Sequence, residues 1–340
     1  MYLSETTFDF KDKTVLLRID ADVDIQKEGG ELVVDEDYRL RSCLPTIRHL
    51  YKNGAKKIVM IGHMGRPKGK YISELSLAPV ADWFSSKLKD CQLVDLKNIS
   101  QKSLSSFSLL ENLRFYPGEE NNDQQFCQEL AGLADVYINE AFGVSHRNNA
   151  SITGVASIIP SFLGLRFEGE VKALTLLRKK ATRPLIFVLG GSKKGKVDHI
   201  DFLSGWADKT LVGGMIPTRI KDLKVKLNSS RVIVGELNKS GRDISKKTIA
   251  DFKKVIGTAE TVVWAGPMGV YEEKENRKGT EKISRIISES KAFKVAGGGD
   301  THRVLSWGDL WSKFDFVSVG GGAMLEFLEK ETLVGMKKKN

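Results

Sequence analysis

Short apolar runs and amphipathic stretches alternate along almost the whole chain. Runs at 15–19, 58–61, 136–138, 185–189, 211–213, 232–234, 262–264, 293–295 and 316–319 are rich in β-branched residues and end at polar residues or glycine. Continuous apolarity of that length predicts strands buried on both faces, as in parallel sheets. Between the runs, Leu40, Leu44, Ile47 and Leu50 recur at helical spacing before Asn53-Gly54, and Ile249, Phe252 and Ile256 do so before Gly257. This is the pattern of amphipathic helices with a glycine stop. Strand and helix in alternation define an α/β class. So many strands exceed what one parallel sheet usually holds, and residues 165–180 form a charged, helix-prone stretch whose sole glycine is Gly169. Two readings fit that stretch: an ordinary crossover helix, or a helix joining two lobes.

Four glycine clusters follow predicted strands in the second half: Gly190-Gly191-Ser192-Lys193, Gly213-Gly214-Met215, Gly297-Gly298-Gly299-Asp300-Thr301 and Gly320-Gly321-Gly322-Ala323. The first, third and fourth are expected to open helices. Glycine at such a turn lets the backbone approach a ligand and aims N–H groups at an anion, with the helix N-terminus adding partial positive charge. One cluster could be purely steric; four at strand ends predict an anion or nucleotide site. Neither GxxxxGK[ST] nor an early GxGxxG is present, so this is not a Walker A loop or a dinucleotide fingerprint. Asp300 stands where a carboxylate could help hold the Mg²⁺ of a nucleotide, or could simply cap a helix. Lys193 could meet a phosphate or remain a surface lysine.

The first half places Arg18-Ile19-Asp20-Ala21-Asp22 at a strand end, Arg39 at a helix start and Gly62-His63-Met64-Gly65-Arg66-Pro67 after the next strand. Arg114 and then Asn139-Glu140-Ala141-Phe142-Gly143-Val144-Ser145-His146-Arg147 follow. Arginines recurring at strand ends predict a basic pocket for a small, multiply charged anion. The net charge of +10 changes that picture less than it first suggests. Residues 1–160 carry 19 Lys+Arg against 22 Asp+Glu, and residues 161–340 carry 34 against 21. The basic excess lies away from the arginine set, lacks interleaved aromatics, and ends in a Lys337-Lys338-Lys339 run that reads as a solvated tail, so nucleic acid is not the expected partner. No stretch suits a bilayer span or a leader peptide, and Cys43, Cys91 and Cys127 lack metal or disulfide spacing. A cytoplasmic protein of two ordinary domains is expected.

Taken in order, these residues resemble the phosphoglycerate kinase family. The likeness is carried by LLRID at 16–20, GHMGRPKG at 62–69, LLENLRF at 109–115 with Gly118-Glu119-Glu120, NEAFGVSHR at 139–147, LGGSK at 189–193, WAGPMGVYE at 264–272, GGGDT at 297–301 and GGGA at 320–323. The resemblance implies two Rossmann-like lobes, each a parallel sheet flanked by helices, joined by a hinge helix. Expected boundaries are a phosphoglycerate-binding lobe at 1–160, an interdomain helix at 161–180 and a nucleotide-binding lobe at 181–322. A C-terminal helix and tail at 323–340 could return to the first lobe. The implied activity is the glycolytic and gluconeogenic transfer of a phosphoryl group between ATP and the carboxylate of 3-phosphoglycerate, giving 1,3-bisphosphoglycerate and ADP, with Mg²⁺, in a monomer that needs neither nucleic acid nor membrane.

Carried over residue by residue, Asp20, Asp22, Arg39, His63, Arg66, Arg114 and Arg147 would line the phosphoglycerate site. Gly190, Gly191, Lys193, Gly214, Pro267, Glu272, Gly297, Gly298, Gly299, Asp300 and Thr301 would serve the nucleotide, Glu272 at the ribose and Asp300 at the metal. Arg39, Lys193, Gly298 and Gly321 would carry the transfer itself, with Gly299 and Gly322 adding backbone donors. A carboxylate acceptor with an ordinary pKa of about 4 is already ionised, so no general base is needed. The expected devices are hinge closure, which also suppresses ATP hydrolysis, and charge neutralisation. The chain departs from the family pattern at Asp22 and Asp24, at Ala265, and in a shortened segment after Gly214. After Lys193 the register leaves Asp198 unassigned and Lys194, Lys196 and His199 as alternatives for a second cation. A catalytically weak paralogue retained as a ligand-binding or interaction protein is the competing expectation.

Overall fold

The computed structural model describes residues 1–99, 104–227 and 229–336. The lysine run at 337–339 lies outside them. Two compact units emerge: Met1–Lys172 with the stretch that begins at Thr332, and Ala173–Glu331. The division falls inside the helix Leu165–Lys180, which occupies the stretch expected to be helical. The helix Gly322–Lys330 belongs to the second unit, and the chain re-enters the first only at Thr332.

The first unit contains β1 (Thr14–Arg18), β2 (Ile25–Glu28), β3 (Glu31–Val34), β4 (Lys57–Ile61), β5 (Cys91–Val94), β6 (Phe107–Leu110), β7 (Val136–Asn139) and β8 (Ser161–Leu163). Six of these form a parallel sheet in the order β5-β6-β4-β1-β7-β8. Its unbroken apolar runs have a direct cause. Val15 and Leu17 of β1 and Ile58 and Met60 of β4 enter one core, while Leu16, Val59 and Ile61 enter the core on the opposite face. Strands buried on both faces cannot alternate apolar with polar residues. The exposed antiparallel hairpin β2-β3 turns through Gly29-Gly30, both at positive φ; only that glycine pair marked it. β5 and β6 span four residues each with a polar residue at the second position, and β8 spans three and starts at Ser161, so their periodicity did not separate them from loops.

The second unit is a parallel sheet in the order β11-β10-β9-β12-β13-β14, built from β9 (Leu185–Leu189), β10 (Lys209–Val212), β11 (Val232–Val234), β12 (Thr261–Ala265), β13 (Phe293–Gly297) and β14 (Phe316–Ser318). Counted from β9, this is the 3-2-1-4-5-6 order of doubly wound sheets. Its connections reverse between β9 and β12, and the crevice beyond their carboxyl ends is where such sheets take ligands. The corresponding reversal in the first unit lies between β1 and β7. All three cysteines are buried, and no described helix is long and apolar enough to cross a membrane.

The helix Leu165–Lys180 starts on a buried carboxylate. Glu140, the residue after β7, accepts the amides of Arg166 (3.0 Å) and Phe167 (3.4 Å) and the hydroxyl of Thr46, while Thr46 Oγ1 accepts the Leu165 amide at 3.0 Å. Burial pushes the Glu140 carboxyl up to about 7. Gly164 leaves the room this requires, because a Cβ there would stand 1.8 Å from Glu140 Oε2. Gly164→Ala should therefore displace the cap and cost about 2 kcal/mol or more. Gly169→Ala, whose added methyl meets nothing within 4 Å, should gain about 0.5–1 kcal/mol from helix propensity. Urea unfolding of the two variants checks the pair, and equal effects would contradict the capping role.

Candidate functional site

In the first unit, charged groups collect at the carboxyl ends of β1, β4, β6 and β7. Arg18, the last residue of β1, is 1% exposed; it donates through Nε to Ser151 Oγ at 2.8 Å, through Nη1 to Ile19 O, and through Nη2 to His63 Nδ1 at 2.7 Å. Asp20 is buried two residues on, with Arg39 Nη1 3.6 Å from its Oδ1. Neither Asp20 carboxylate oxygen has a hydrogen-bond partner, nor does Arg39 Nε. Arg39 instead gives Nη1 to the backbone carbonyl of Asp22. Two buried groups left partly unsatisfied at a strand end mark a site prepared for something else.

The loop after β4 is tied to this cluster by its backbone. The Asp22 carboxylate is exposed and accepts the Gly65 amide at 2.9 Å, which holds this extra negative charge on the loop. Arg114 Nη1 donates to Gly65 O at 2.6 Å, and Asn112 Nδ2 bridges Met64 O and Leu75 O at 2.7 and 2.8 Å. Arg114 is 3% exposed; desolvation, reinforced by Arg147, lowers its pKa to about 10 despite Glu120 at 3.5 Å. Desolvation first, then Arg66, lowers that of Arg147. His63 is buried; desolvation and then Arg18, Arg114, Arg147 and Arg39 drive its pKa well below the ordinary value. Thus Asp20, Asp22, Arg39, His63, Arg114 and Arg147 are brought together, with Arg66 exposed beside Arg147. Arg18 and Asn112 join them, though neither was among the expected ligands; a buried arginine at a strand end was the legible signal for the first.

In the second unit the glycine turns interlock at the β9/β12 reversal. The Gly190 amide donates to Ala265 O at 3.0 Å, Gly191 to Pro267 O at 2.7 Å and Gly214 to Met268 O at 3.0 Å. A Cβ on Gly190 would lie 2.2 Å from Pro267 O, so no larger residue fits. Thr301 Oγ1 donates to Gly297 O at 3.0 Å and accepts the Gly266 amide at 2.9 Å, stitching the third cluster to the loop after β12. Gly298 holds φ at 105°, which only glycine adopts readily, and would bring a Cβ within 3.2 Å of Gly321 Cα. Gly299 and Gly322 are the first residues of the helices Gly299–Trp307 and Gly322–Lys330, whose leading amides lack intrahelical acceptors. The second cluster also opens a helix, Ile216–Asp222, contrary to the expectation for it; Pro217 near its start is compatible with that position. The first reaches its helix only after the 3₁₀ run Lys194–His199.

The lysines after the first cluster separate clearly. Lys193 and Lys194 are exposed, and so is Asp198. His199 is committed to Glu329 at 2.7 Å. Lys196 is buried, and its ammonium donates to Gly190 O at 2.7 Å and Ala265 O at 3.0 Å. Two of its three donors are thereby used on carbonyls, and the third is left for a ligand. Desolvation lowers its pKa to about 8, partly offset by Asp300. Asp300 is half-buried with Tyr271 Oη 3.5 Å from its Oδ1, and Glu272 is exposed. No cluster of three metal-ligating side chains exists among the described residues.

The family model described as "Phosphoglycerate kinase" matches residues 6–232 and 220–331, its two segments overlapping at 220–232. The chain is 34% identical to a phosphoglycerate kinase of Solibacter usitatus over 386 aligned positions, covering 98% of each chain. It is 36% identical to that of Dictyoglomus turgidum over 384, covering 96% of each. Both alignments are longer than the 340-residue chain, so both relatives carry residues it lacks. Among solved structures, phosphoglycerate kinases of Pyrococcus horikoshii (TM-score 0.81, 26% identity, 99% of this chain and 98% of that one) and Coxiella burnetii (0.72, 28%, 99% and 97%) are similar.

If Lys196 is the buried anion partner, affinity for inorganic tripolyphosphate should be steady up to about pH 7.5 and fall several-fold by pH 9.5, as the ammonium deprotonates through about 8. Lys196→Met should weaken binding and abolish that pH dependence, whereas Lys193→Met should keep it. Calorimetric titration distinguishes the two, and an unchanged profile in Lys196→Met would contradict the assignment.

Proposed function

The chain belongs to the phosphoglycerate kinase family, and on that premise we propose how its residues move a phosphoryl group between ATP and the carboxylate of 3-phosphoglycerate. The observation that carries the proposal is the sorting of chemistry between the units. Guanidinium and imidazole groups suited to a small phosphorylated carboxylate collect on one sheet, and backbone amides with a buried ammonium collect on the other.

Arg39, His63, Arg66, Arg114 and Arg147 bind the phosphoglycerate anion, with Asp20 and Asp22 orienting Arg39 and the Gly65 loop. On the nucleotide side, the turns at Gly190, Gly191, Gly214 and Pro267 shape the floor, and Glu272 meets the ribose. Gly297 and Thr301 hold the loops in register, while the amides at Gly298, Gly299, Gly321 and Gly322 face the transferred phosphoryl. Lys196 takes the catalytic place that Lys193 was expected to fill, because it is the lysine buried against the cradle; Lys193 remains a candidate for longer-range attraction. Asp300 would hold Mg²⁺, which would supply neutralisation of phosphate charge.

A carboxylate oxygen of 3-phosphoglycerate attacks the γ-phosphorus as the bond to the β-bridging oxygen breaks, and ADP departs with that electron pair. No proton changes hands, so no base is required. The protein's contribution is alignment, charge stabilisation and exclusion of water, with hinge closure as the expected means of exclusion. Monomeric action in the cytoplasm, apart from nucleic acid and membranes, completes the reading; placed arginines, with Arg39 and Arg114 held by backbone carbonyls, support a small anion over a polyanionic surface.

Turnover with 3-phosphoglycerate, ATP and Mg²⁺, coupled to NADH consumption by a dehydrogenase, is the test. Arg39→Ala should lower kcat by about 100-fold, in the range of lost transition-state donors, while raising the KM for phosphoglycerate only a few-fold. An unaltered kcat would reject its role in transfer. Absence of turnover by the native chain at high enzyme concentration would favour the ligand-binding paralogue, to which Ala265 and the shortened segment after Gly214 lend weight.

A further inference from the structure

Behind the arginine pocket lies a buried line of contacts that the binding roles above do not use. Glu119, 1% exposed, accepts the Ser151 hydroxyl at 2.7 Å through Oε1 and the Ser151 amide at 3.0 Å through Oε2. Ser151 Oγ in turn accepts Arg18 Nε at 2.8 Å, and Arg18 Nη2 reaches His63 Nδ1 at 2.7 Å. Every member of the line is at most 2% exposed.

The chemistry of the donors dictates what the line does. A guanidinium has donors only and keeps its proton at any physiological pH. The nitrogen of His63 that faces Arg18 must therefore present a lone pair. A neutral imidazole then carries its proton on the other nitrogen, Nε2, and a second proton would set N–H against N–H within 2.7 Å. The charged groups acting on His63 come from several elements and share one sign: Arg18 from β1, Arg39 from the helix Tyr38–Lys52, Arg114 from the loop after β6 and Arg147 from the loop after β7. Glu119 balances Arg18 through Ser151 instead of touching it, so the guanidinium is braced without being drawn away from the histidine.

We propose that Arg18 is a positioning residue for the anion pocket: braced by Ser151 and Glu119, it locks His63 as the neutral imidazole whose Nε2–H is the single donor the ring offers a bound anion. The inference takes the identity of that anion, phosphoglycerate, from the reading above; the state of His63 is independent of it. His63 then supplies a directed hydrogen bond whose strength does not follow pH, and the pocket's charge resides in its arginines.

Long-range ¹H–¹⁵N correlation spectra of the full chain, with His63 assigned by its loss in His63→Gln, read this directly. The native protein should show the Nε2–H tautomer and no His63 titration between pH 5.5 and 8. In Arg18→Met, His63 loses its donor-only neighbour, so its nitrogen resonances should move to a mixture of the two tautomers while burial and the remaining arginines still hold its pKa down, and the KM for 3-phosphoglycerate should rise several-fold with the KM for ATP unchanged. Arg18→Lys, which restores a donor-only cation, should largely return His63 to the Nε2–H tautomer. Because Arg18→Met removes a buried group and can fail to fold, Ser151→Ala supplies a second reading: loss of the brace should shift the His63 nitrogen resonances towards a tautomer mixture. A native His63 that titrates near 6.5 or carries its proton on Nδ1 would overturn the proposal, as would folded Arg18→Met or Ser151→Ala with native His63 resonances. Failure of the phosphoglycerate reading would appear separately, as absent turnover with the His63 spectra unchanged.

Discussion

Positive charge must be held at the end of a parallel strand without being spent on a neighbouring acid, and both sites solve this with backbone carbonyls. Arg18 gives a donor to Ile19 O, Arg39 to Asp22 O, Arg114 to Gly65 O, and Lys196 to Gly190 O and Ala265 O. A carbonyl orients a cation as a carboxylate does but leaves its formal charge in place. The acids that approach do so at long range, Asp20 at 3.6 Å from Arg39 and Glu120 at 3.5 Å from Arg114. Burying such cations is costly by itself, as the lowered pKa values of Arg114, Arg147 and Lys196 show. An incoming anion relieves that cost, and the relief contributes to binding.

The glycine turns follow from the same constraint. Carbonyls can serve Lys196 only if the loops after β9 and β12 come close enough to share it, and the absent side chain at Gly190 makes that approach possible. Gly190 also donates its amide to Ala265 O, one of the two carbonyls that hold the ammonium. The departure from the family pattern at Ala265 therefore leaves this contact intact, since the backbone makes it.

The architecture was largely legible because strands buried on both faces write their burial as uninterrupted apolar runs. β1, β4, β7, β9 and β12 stand out for that reason, whereas β5, with Gln92 and Leu93 exposed, lost the signature. The arginine pocket was legible through motifs that place one charged residue after each strand. Two features were not. Choosing among Lys193, Lys194, Lys196 and His199 depends on which side chain turns back beneath the Gly190 turn, and a 3₁₀ run decides that through local geometry that composition does not encode. Glu119 and Ser151 act on the pocket through Arg18, 32 residues apart along the chain, and neither carries a local pattern that would announce a buried contact.

The central claim is direct passage of a phosphoryl group between two anions, with charge stabilisation in place of acid-base chemistry. Phosphorus-31 NMR of the protein with ATP, Mg²⁺ and 3-phosphoglycerate measures it most directly. The account predicts an acyl-phosphate resonance and ADP rising together only when 3-phosphoglycerate is present, with negligible inorganic phosphate in its absence. Inorganic phosphate released from ATP alone, or no acyl phosphate with both substrates supplied, would contradict it.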